Sequence, residues 1–460
     1  MRSMIRFRSR FAATCLVLVF TLALASCQSP TTSEPVTGPT EPTTQTTASV
    51  EPTATTESST QPTIQPSETT SSTTAPTTTE TTPAPTEPTQ PARTVEQYFP
   101  LTPDVFARYT GTGNEYVPMT VYVDYSRPGQ IQLAYDNGGT EVHVLYAVGN
   151  GKVQILQELA ELYVREDLAQ LPPVSNGEIL LMEPLEVGTA WNVDHGIRAI
   201  TAIDVPVDTE AGAFNAIEVT TTSSDVVTKH YYARGFGLVQ MTAQNGYDIH
   251  QELAERRLNA IRNQQMTVYY PRMTETDIEI VAKDVTVEMK TNTGIGEILD
   301  RFFRSAAQAF PNRIYTVKPH DTLWSIALYN LGDGQKYKDI AALNGIPSPY
   351  TIKPGQILVL ESDTDLPALM SSQTKINSVH LQQDRGIVAI DFTRSLVTDM
   401  NAGSGFEAAL VRSIVNTVGH AYDVPNVLIT LDGDPYESGH IALAPGESFT
   451  VDDQGVIVVN

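Results

Sequence analysis

Cysteine is almost absent: Cys15 and Cys27 are the only two in 460 residues. That excludes a disulfide framework, a cysteine-ligated zinc site and an iron–sulfur cluster. Positive charge is the second deficit. Lys and Arg number 29 against 53 Asp and Glu, a net charge of −24. Such a chain is poorly suited to neutralising phosphates, so the balance argues against nucleic acid as a partner and against a basic patch on anionic lipid. Paired metal ligands are missing too. His143, His195, His230, His250, His320, His380, His420 and His440 form no His-x-x-x-His pair, and none adjoins a cysteine. No zinc hydrolase ligand set is visible. What is plentiful is length and apolar content: 41% of the chain is hydrophobic, enough for at least two cores.

The N-terminus reads as an address. Arg2, Arg6, Arg8 and Arg10 precede an apolar run from Phe11 to Ala25, broken only by Thr14, Cys15 and Thr21. The run has the length of a signal-peptide core and is short for a membrane-spanning helix. It ends Leu24-Ala25-Ser26-Cys27, which resembles a bacterial lipobox; the resemblance implies acylation of Cys27 and residues 1–27 as a lipoprotein signal. An ordinary secretory signal cleaved near Ser26 is the alternative. Residues 28–93 follow, with 24 Thr, 12 Pro and 8 Ser among 66. With two thirds of its positions so composed, the segment cannot bury enough to offset ordering, and a disordered linker is expected. Its reach would lie between about 50 Å as a coil and roughly 200 Å extended.

From residue 94 to 253 the pattern changes to short Val-, Ile-, Thr- and Tyr-rich runs. Alternation predicts strands over Tyr116–Tyr125, Gln130–Tyr135, Glu141–Val148, Lys152–Tyr163, Ile197–Val207, Phe214–Thr222, Val226–Ala233 and Gly237–Thr242. Turn signals such as Asp136-Asn137-Gly138-Gly139 separate them. A mostly antiparallel β-domain is expected, either a sandwich or a curved, half-closed barrel. The charged stretch Glu252–Asn263 reads as helical and as a boundary.

Residues 313–360 read as a β-α-α-β unit. Ile314, Tyr315 and Val317 suit a short strand, and Asp321 is placed to cap a first helix carrying Leu323, Ile326 and Ala327. Tyr337, Ile340, Ala341 and Leu343 suit a second helix that stops at Asn344-Gly345. Lys353-Pro354-Gly355 then turns into a closing strand. The whole segment closely resembles a LysM module, at both ends and in both helices. The resemblance implies binding of peptidoglycan or another N-acetylglucosamine glycan in a shallow groove. Asp321, Thr322 and Leu323 would line one wall, and Gly345, Ile346 and Pro347 the other. His320 stands where the family usually has glycine, so the first loop is expected to differ in conformation or to bind more weakly.

The flanking sequence reads as one domain in two pieces, residues 264–312 and 364–460. Strands are expected at Met266–Tyr270, Ile278–Glu288, Lys375–Leu381, Gly386–Phe392 and Asn426–Leu431, with helices at Gly296–Phe310 and Phe406–Tyr422. The YYPR strand, GIVAIDFT, LVRSIVNTV and VPNVLITLDG together resemble the GerMN (sporulation and germination) domain. The family implies an α+β fold in Gram-positive envelope lipoproteins, a role in protein assembly, and no active site.

Other motifs read as structure. Gly403-Ser404-Gly405 lacks the five-residue nucleophile elbow, and Gly294-Ile295-Gly296 is too short for a phosphate loop. Asp432-Gly433-Asp434 with Glu437 departs from EF-hand spacing. The expected fold class is therefore multidomain: a disordered Thr/Pro-rich linker, a mostly antiparallel β-domain, and an α+β GerMN-like domain holding a LysM insert. The expected function is non-catalytic. The chain would be a lipid-anchored protein on the extracytoplasmic face that binds cell-wall glycan and serves envelope or germination-related assembly beside a protein partner. It needs no metal and no cofactor. A LysM-targeted peptidoglycan hydrolase and a ligand carrier built on the β-domain are the competing readings. The first requires catalytic residues that no segment displays.

Overall fold

A computed structural model describes residues 92–459, apart from 172–176, 195, 225, 245–247 and 401–402. The signal peptide, Cys27, nearly all of the Thr/Pro-rich tract and His195 lie outside the described residues.

Twelve strands build the first sheet. They are β1 (Val105–Thr112), β2 (Met119–Arg127), β3 (Gln130–Asp136), β4 (Glu141–Gly149), β5 (Lys152–Ala160), β6 (Ile179–Met182), β7 (Ala190–Val193), β8 (Gly196–Thr209), β9 (Gly212–Thr222), β10 (Val227–Ala233), β11 (Gly237–Gln244) and β12 (Ile249–Leu258). Each neighbour pair is antiparallel, and the order runs β6 to β1, then β12 to β7. Strands β6 and β7 are thus the two edges, although they follow one another in sequence. Side chains stitch these edges together: Trp191 Nε1 donates to Ile179 O over 2.9 Å, and Arg198 Nη1 to the same oxygen over 2.7 Å. The expected half-closed barrel is therefore one curled sheet whose edges meet, not a sandwich. Closing an edge in this way removes a site of unwanted strand pairing.

Glu252–Asn263 is not helical. Strand β12 occupies Ile249–Leu258 and pairs with both β1 and β11 at the centre of the sheet. Its second half misled because Glu255, Arg256 and Arg257 break the alternation. Ile249, Gln251 and Leu253 alternate into the interior while His250 and Glu252 face outward, a period of two. Helix α1 (Val95–Tyr98) and Phe99 pack on the barrel, with the Phe99 and Tyr146 rings 5.1 Å apart.

Beyond the barrel, β13 (Arg262–Met273) and β14 (Ile278–Met289) form a long hairpin. It continues past Tyr270, where the expected strand ends, through Pro271 to Met273. Helix α2 (Ile295–Arg304) follows and buries Ile295, Ile298, Leu299, Phe302 and Phe303. Each such side chain contributes about 1.5–3 kcal/mol by leaving water. After a separate β-α-α-β unit, the chain resumes with β17 (Ile376–Gln382), β18 (Ile387–Phe392), α5 (Ser395–Thr398), α6 (Ser404–Tyr422) and β19 (Asn426–Leu431). Strands β18 and β19 are parallel and α6 is the crossover between them. One hydrophobic core joins Val268 and Tyr270 of β13, α2, Val388 and Ile390 of β18, α6 and Ile429 of β19. Leu145, Leu162, Val164 and Leu168 carry that same core into the barrel.

The intervening unit has its own core. Strand β15 (Arg313–Thr316) pairs antiparallel with β16 (Ile357–Glu361), flanking α3 (Leu323–Leu331) and α4 (Tyr337–Leu343). Val317, Leu323, Ile326, Ala327, Ile340, Ala341, Leu358 and Leu360 cluster there, apart from the larger core. Among the described residues, no helix is long and apolar enough to cross a membrane.

Candidate functional site

The two loops that flank the proposed groove are built by local hydrogen bonding. In the first, Thr322 and not Asp321 caps α3. The Thr322 Oγ1 accepts from Ser325 N at 3.1 Å, and Ser325 Oγ accepts in return from Thr322 N at 3.0 Å. Asp321 sits one residue too early to reach the helix amides. Its carboxylate instead accepts from Lys318 N at 2.7 Å and from the Tyr315 hydroxyl at 2.9 Å, folding the loop back on its strand. The Lys318 amide and the Tyr315 hydroxyl hold Asp321 below the ordinary carboxylate range. Thr322 is exposed, whereas Leu323 is buried in the small core and can offer only its backbone to a ligand.

His320 adopts φ 72°, in the left-handed region where a β-carbon is penalised. The loop thus holds a glycine-type backbone without glycine. Replacing His320 by glycine should raise stability by about 0.5–1 kcal/mol, since strain at the site is relieved at the cost of a looser unfolded chain. Chemical denaturation of the two proteins reads this directly, and a loss of stability would contradict it.

The second wall is held from outside the unit. Gly345 has φ 59°, and a β-carbon there would come within 2.5 Å of Arg304 Cβ, so the loop lies directly on the end of α2. Ser305 Oγ donates to Leu343 O over 2.6 Å, and Gln308 Nε2 to Asn344 Oδ1 over 2.7 Å. The Leu343 carbonyl, which the C-terminus of α4 would leave open, is thereby satisfied, and Gln308 Nε2 also reaches it over 3.3 Å. Asn344 then ties that turn to β16 through Val359, accepting at 2.8 Å and donating at 2.7 Å. Arg304 commits all its donors to Asp300 and to the carbonyls of Ser371, Ser372 and Thr374. The loop 371–374 is thereby curled up beside the second wall.

Between them lies a cleft of about 500 Å³. Gly345, Ile346 and Pro347 line it with Lys338 of α4, and Met370 joins them from the neighbouring domain. Asp321, Thr322 and Leu323 are not among its lining residues. The structure therefore places the two predicted walls on one small unit but puts this cleft behind the second, facing the neighbouring domain. Met370 to Ser372 escaped the sequence reading because they carry no motif.

A second constellation was invisible in sequence. Asp124 on β2 lies 2.8 Å from His143 Nδ1 on β4 and 2.9 Å from Arg165 Nε. His143 Nε2 lies 2.7 Å from Glu141, which also accepts from Arg262 at the start of β13. Arg165 Nη1 reaches Lys290 O and Thr293 O in the turn before α2. Asp124 and His143 are fully buried, and Arg165 nearly so. Burial alone would raise Asp124, but His143, Arg165 and Arg262 outweigh it and bring it down to about 2. Burial alone would lower His143, but Asp124 and Glu141 raise it to about 9. Beside them, burial lifts Glu166 to about 7 although the Tyr422 hydroxyl donates to it over 3.0 Å. These groups bind barrel to hairpin and to α6.

The remaining motifs are structural. Asp432 accepts from Arg394 N at 3.0 Å and Asp434 pairs with Arg394 Nη2 at 2.8 Å, so both carboxylates are occupied. Gly294 and Gly403 are the N-cap residues of α2 and α6.

With this geometry in place, comparison with known proteins is informative for two segments. Residues 315–361 match the LysM domain family, and residues 340–437 match the Germane family of sporulation and spore germination. An uncharacterized protein of Deinococcus radiodurans is 51% identical over 45 residues, covering 10% of this chain and 18% of that relative's length. A Bacteroides fragilis protein with a YmcC-like fold aligns at 12% identity over 34% of this chain and 95% of its own, with a TM-score of 0.22. The tandem GerMN domains of the sporulation protein GerM from Bacillus subtilis align at 18% identity over 42% of this chain and 47% of theirs, with a TM-score of 0.22. Likeness at that level says nothing of activity. The chain thus carries a LysM domain and, overlapping its second half, a segment of the sporulation and spore germination family.

Proposed function

We propose that this chain is a cell-envelope protein that binds peptidoglycan, or another N-acetylglucosamine glycan, through residues 313–360. The observation that carries the reading is the LysM unit itself, with its own core and both groove loops hydrogen-bonded into shape. Asp321, Thr322 and Leu323 on one side, and Gly345, Ile346 and Pro347 on the other, are the proposed contacts. Backbone amides and carbonyls would hold the acetamido group while aliphatic side chains cover its methyl. The family match at 340–437 supports a part in sporulation- or germination-related assembly. Residues 340–361 belong with the LysM core by packing, so we assign the second domain to 264–312 and 364–460, with LysM as an insert between them. Residues 94–253 form the bulk of the β-domain. The reading is non-catalytic.

Cys27 is proposed as the lipid attachment point on the extracytoplasmic face, with residues 28–93 as a tether that raises local concentration at the wall. Fractionation tests the whole proposal. The intact chain should partition with membranes and also sediment with purified, insoluble peptidoglycan, releasing no soluble muropeptide. Cys27→Ala should abolish only the membrane association. A Cys27→Ala chain still on the membrane would overturn the anchor, and reproducible muropeptide release would overturn the non-catalytic reading.

A further inference from the structure

The cleft behind the second groove wall is made from two domains, and its chemistry is not that of a neutral sugar site alone. Its floor is apolar, with Ala341 and Ile346 from the LysM side and Met370 from the other. At its rim, Ser348 and Ser372 are exposed. Lys338 is exposed as well, and among the described residues it has no carboxylate partner. Arg304, by contrast, spends its donors on the scaffold and keeps the facing loop in place. A volume of about 500 Å³ is in the range of a small-ligand site.

We propose that this cleft is a subsite for the acidic substituent of a bound glycan: a carboxylate-bearing group attached to an N-acetylated amino sugar. Lys338 supplies the charge-assisted contact, the serines supply hydroxyls, and the apolar floor takes acyl or methyl groups. The inference rests on the glycan reading above and extends it, because Arg304, Ala368, Met370, Ser371 and Ser372 of the lining lie outside the LysM unit. Selectivity for an acidic glycan over a neutral one would then require both domains to be joined as they are. Ser305 and Gln308 clamp the end of α4 to the neighbouring domain and so fix the width of the opening.

Binding titrations of the full chain in detergent micelles test this with two probes. One is a soluble disaccharide–peptide fragment of peptidoglycan bearing free carboxylates, and the other a neutral N-acetylglucosamine tetramer. Lys338→Gln should weaken the acidic fragment about three- to tenfold and leave the tetramer unchanged. The difference should shrink in high salt. Ser372→Trp, which puts a bulky ring in the lining of the cleft, should weaken the fragment as well. Unchanged fragment binding in both variants would overturn the subsite, as would equal weakening of the two ligands. If the unsubstituted chain binds neither probe, the glycan reading itself fails and the subsite with it.

Discussion

Asp124→Asn should destabilise the folded chain by about 3–5 kcal/mol, measured by chemical denaturation at neutral pH. The size follows from what the carboxylate holds. Asp124 is fully buried and balances His143 at 2.8 Å and Arg165 at 2.9 Å, with Arg262 at 3.5 Å. An amide leaves these cations inside the protein with Glu141 as their remaining nearby carboxylate, and an uncompensated buried charge costs far more than a surface pair gains. Since Arg165 also bonds the turn before α2, the loss should loosen the barrel from the second domain and not merely soften one strand. A change under about 1 kcal/mol would show that the network contributes little.

The same cluster sets a pH dependence. His143 is raised from 6.5 to about 9, so its stabilisation is complete below pH 6.5 and fades as pH rises through 9. Glu166 is raised from 4.5 to about 7, so the folded state keeps a proton that the unfolded chain releases, and stability falls from pH 4.5 towards 7. Asp124, lowered from 3.8 to about 2, acts only on the acid side and loses its contribution as pH drops through that range. Stability should therefore decline between pH 5 and 9 as first Glu166 and then His143 lose their protons in the folded chain. Glu166→Gln should flatten the lower half of that decline and spare the upper.

The second large effect concerns residues 313–360. Excising them and joining the ends with a short Gly-Ser bridge should leave a cooperatively folding protein that has lost its glycan binding. The main core runs through β13, α2, β18, α6 and β19 and takes no side chain from the excised unit. Asn312 N donates to Glu361 O over 2.8 Å, so the ends of the unit already lie together and a short bridge suffices. The cost should be local. Ser305 and Gln308 lose their carbonyl partners, and Arg304 loses the Gly345 backbone packed on its Cβ. Exposed to water, each lost bond costs about 1 kcal/mol or less. Failure of the excised chain to fold would mean that the unit belongs to a composite domain.

Elements with local signals were legible in the sequence. The LysM helices, Asn426–Leu431 and most barrel strands followed from periodicity and turn residues. Four strands escaped. The run Ile179–Met182 is uniformly apolar and gives no alternation, and Ala190–Val193 is only one turn signal away from its partner. Val105–Thr112 mixes glycine and threonine, and Ile249–Leu258 crowds Glu255, Arg256 and Arg257 into its second half. The Asp124 network could not be read at all, because its members are scattered from 124 to 262 and each alone looks like a solvated charge. Asp321 was mistaken for a cap because aspartate and threonine both suit that role, and one residue of register decides between them. The second groove wall was found through local sequence, but the cleft behind it was not. Residues 368–372 meet the LysM unit only because the chain returns there after β16.

The central claim is that glycan recognition resides in residues 313–360. The most direct measurement is sedimentation with insoluble peptidoglycan, comparing the intact chain with the excised one at equal concentration and with N-acetylglucosamine oligomer as competitor. The account predicts that the intact protein pellets and is released by the oligomer, while the folded, excised protein stays in the supernatant. Equal sedimentation of the two proteins would contradict it and place recognition elsewhere in the chain.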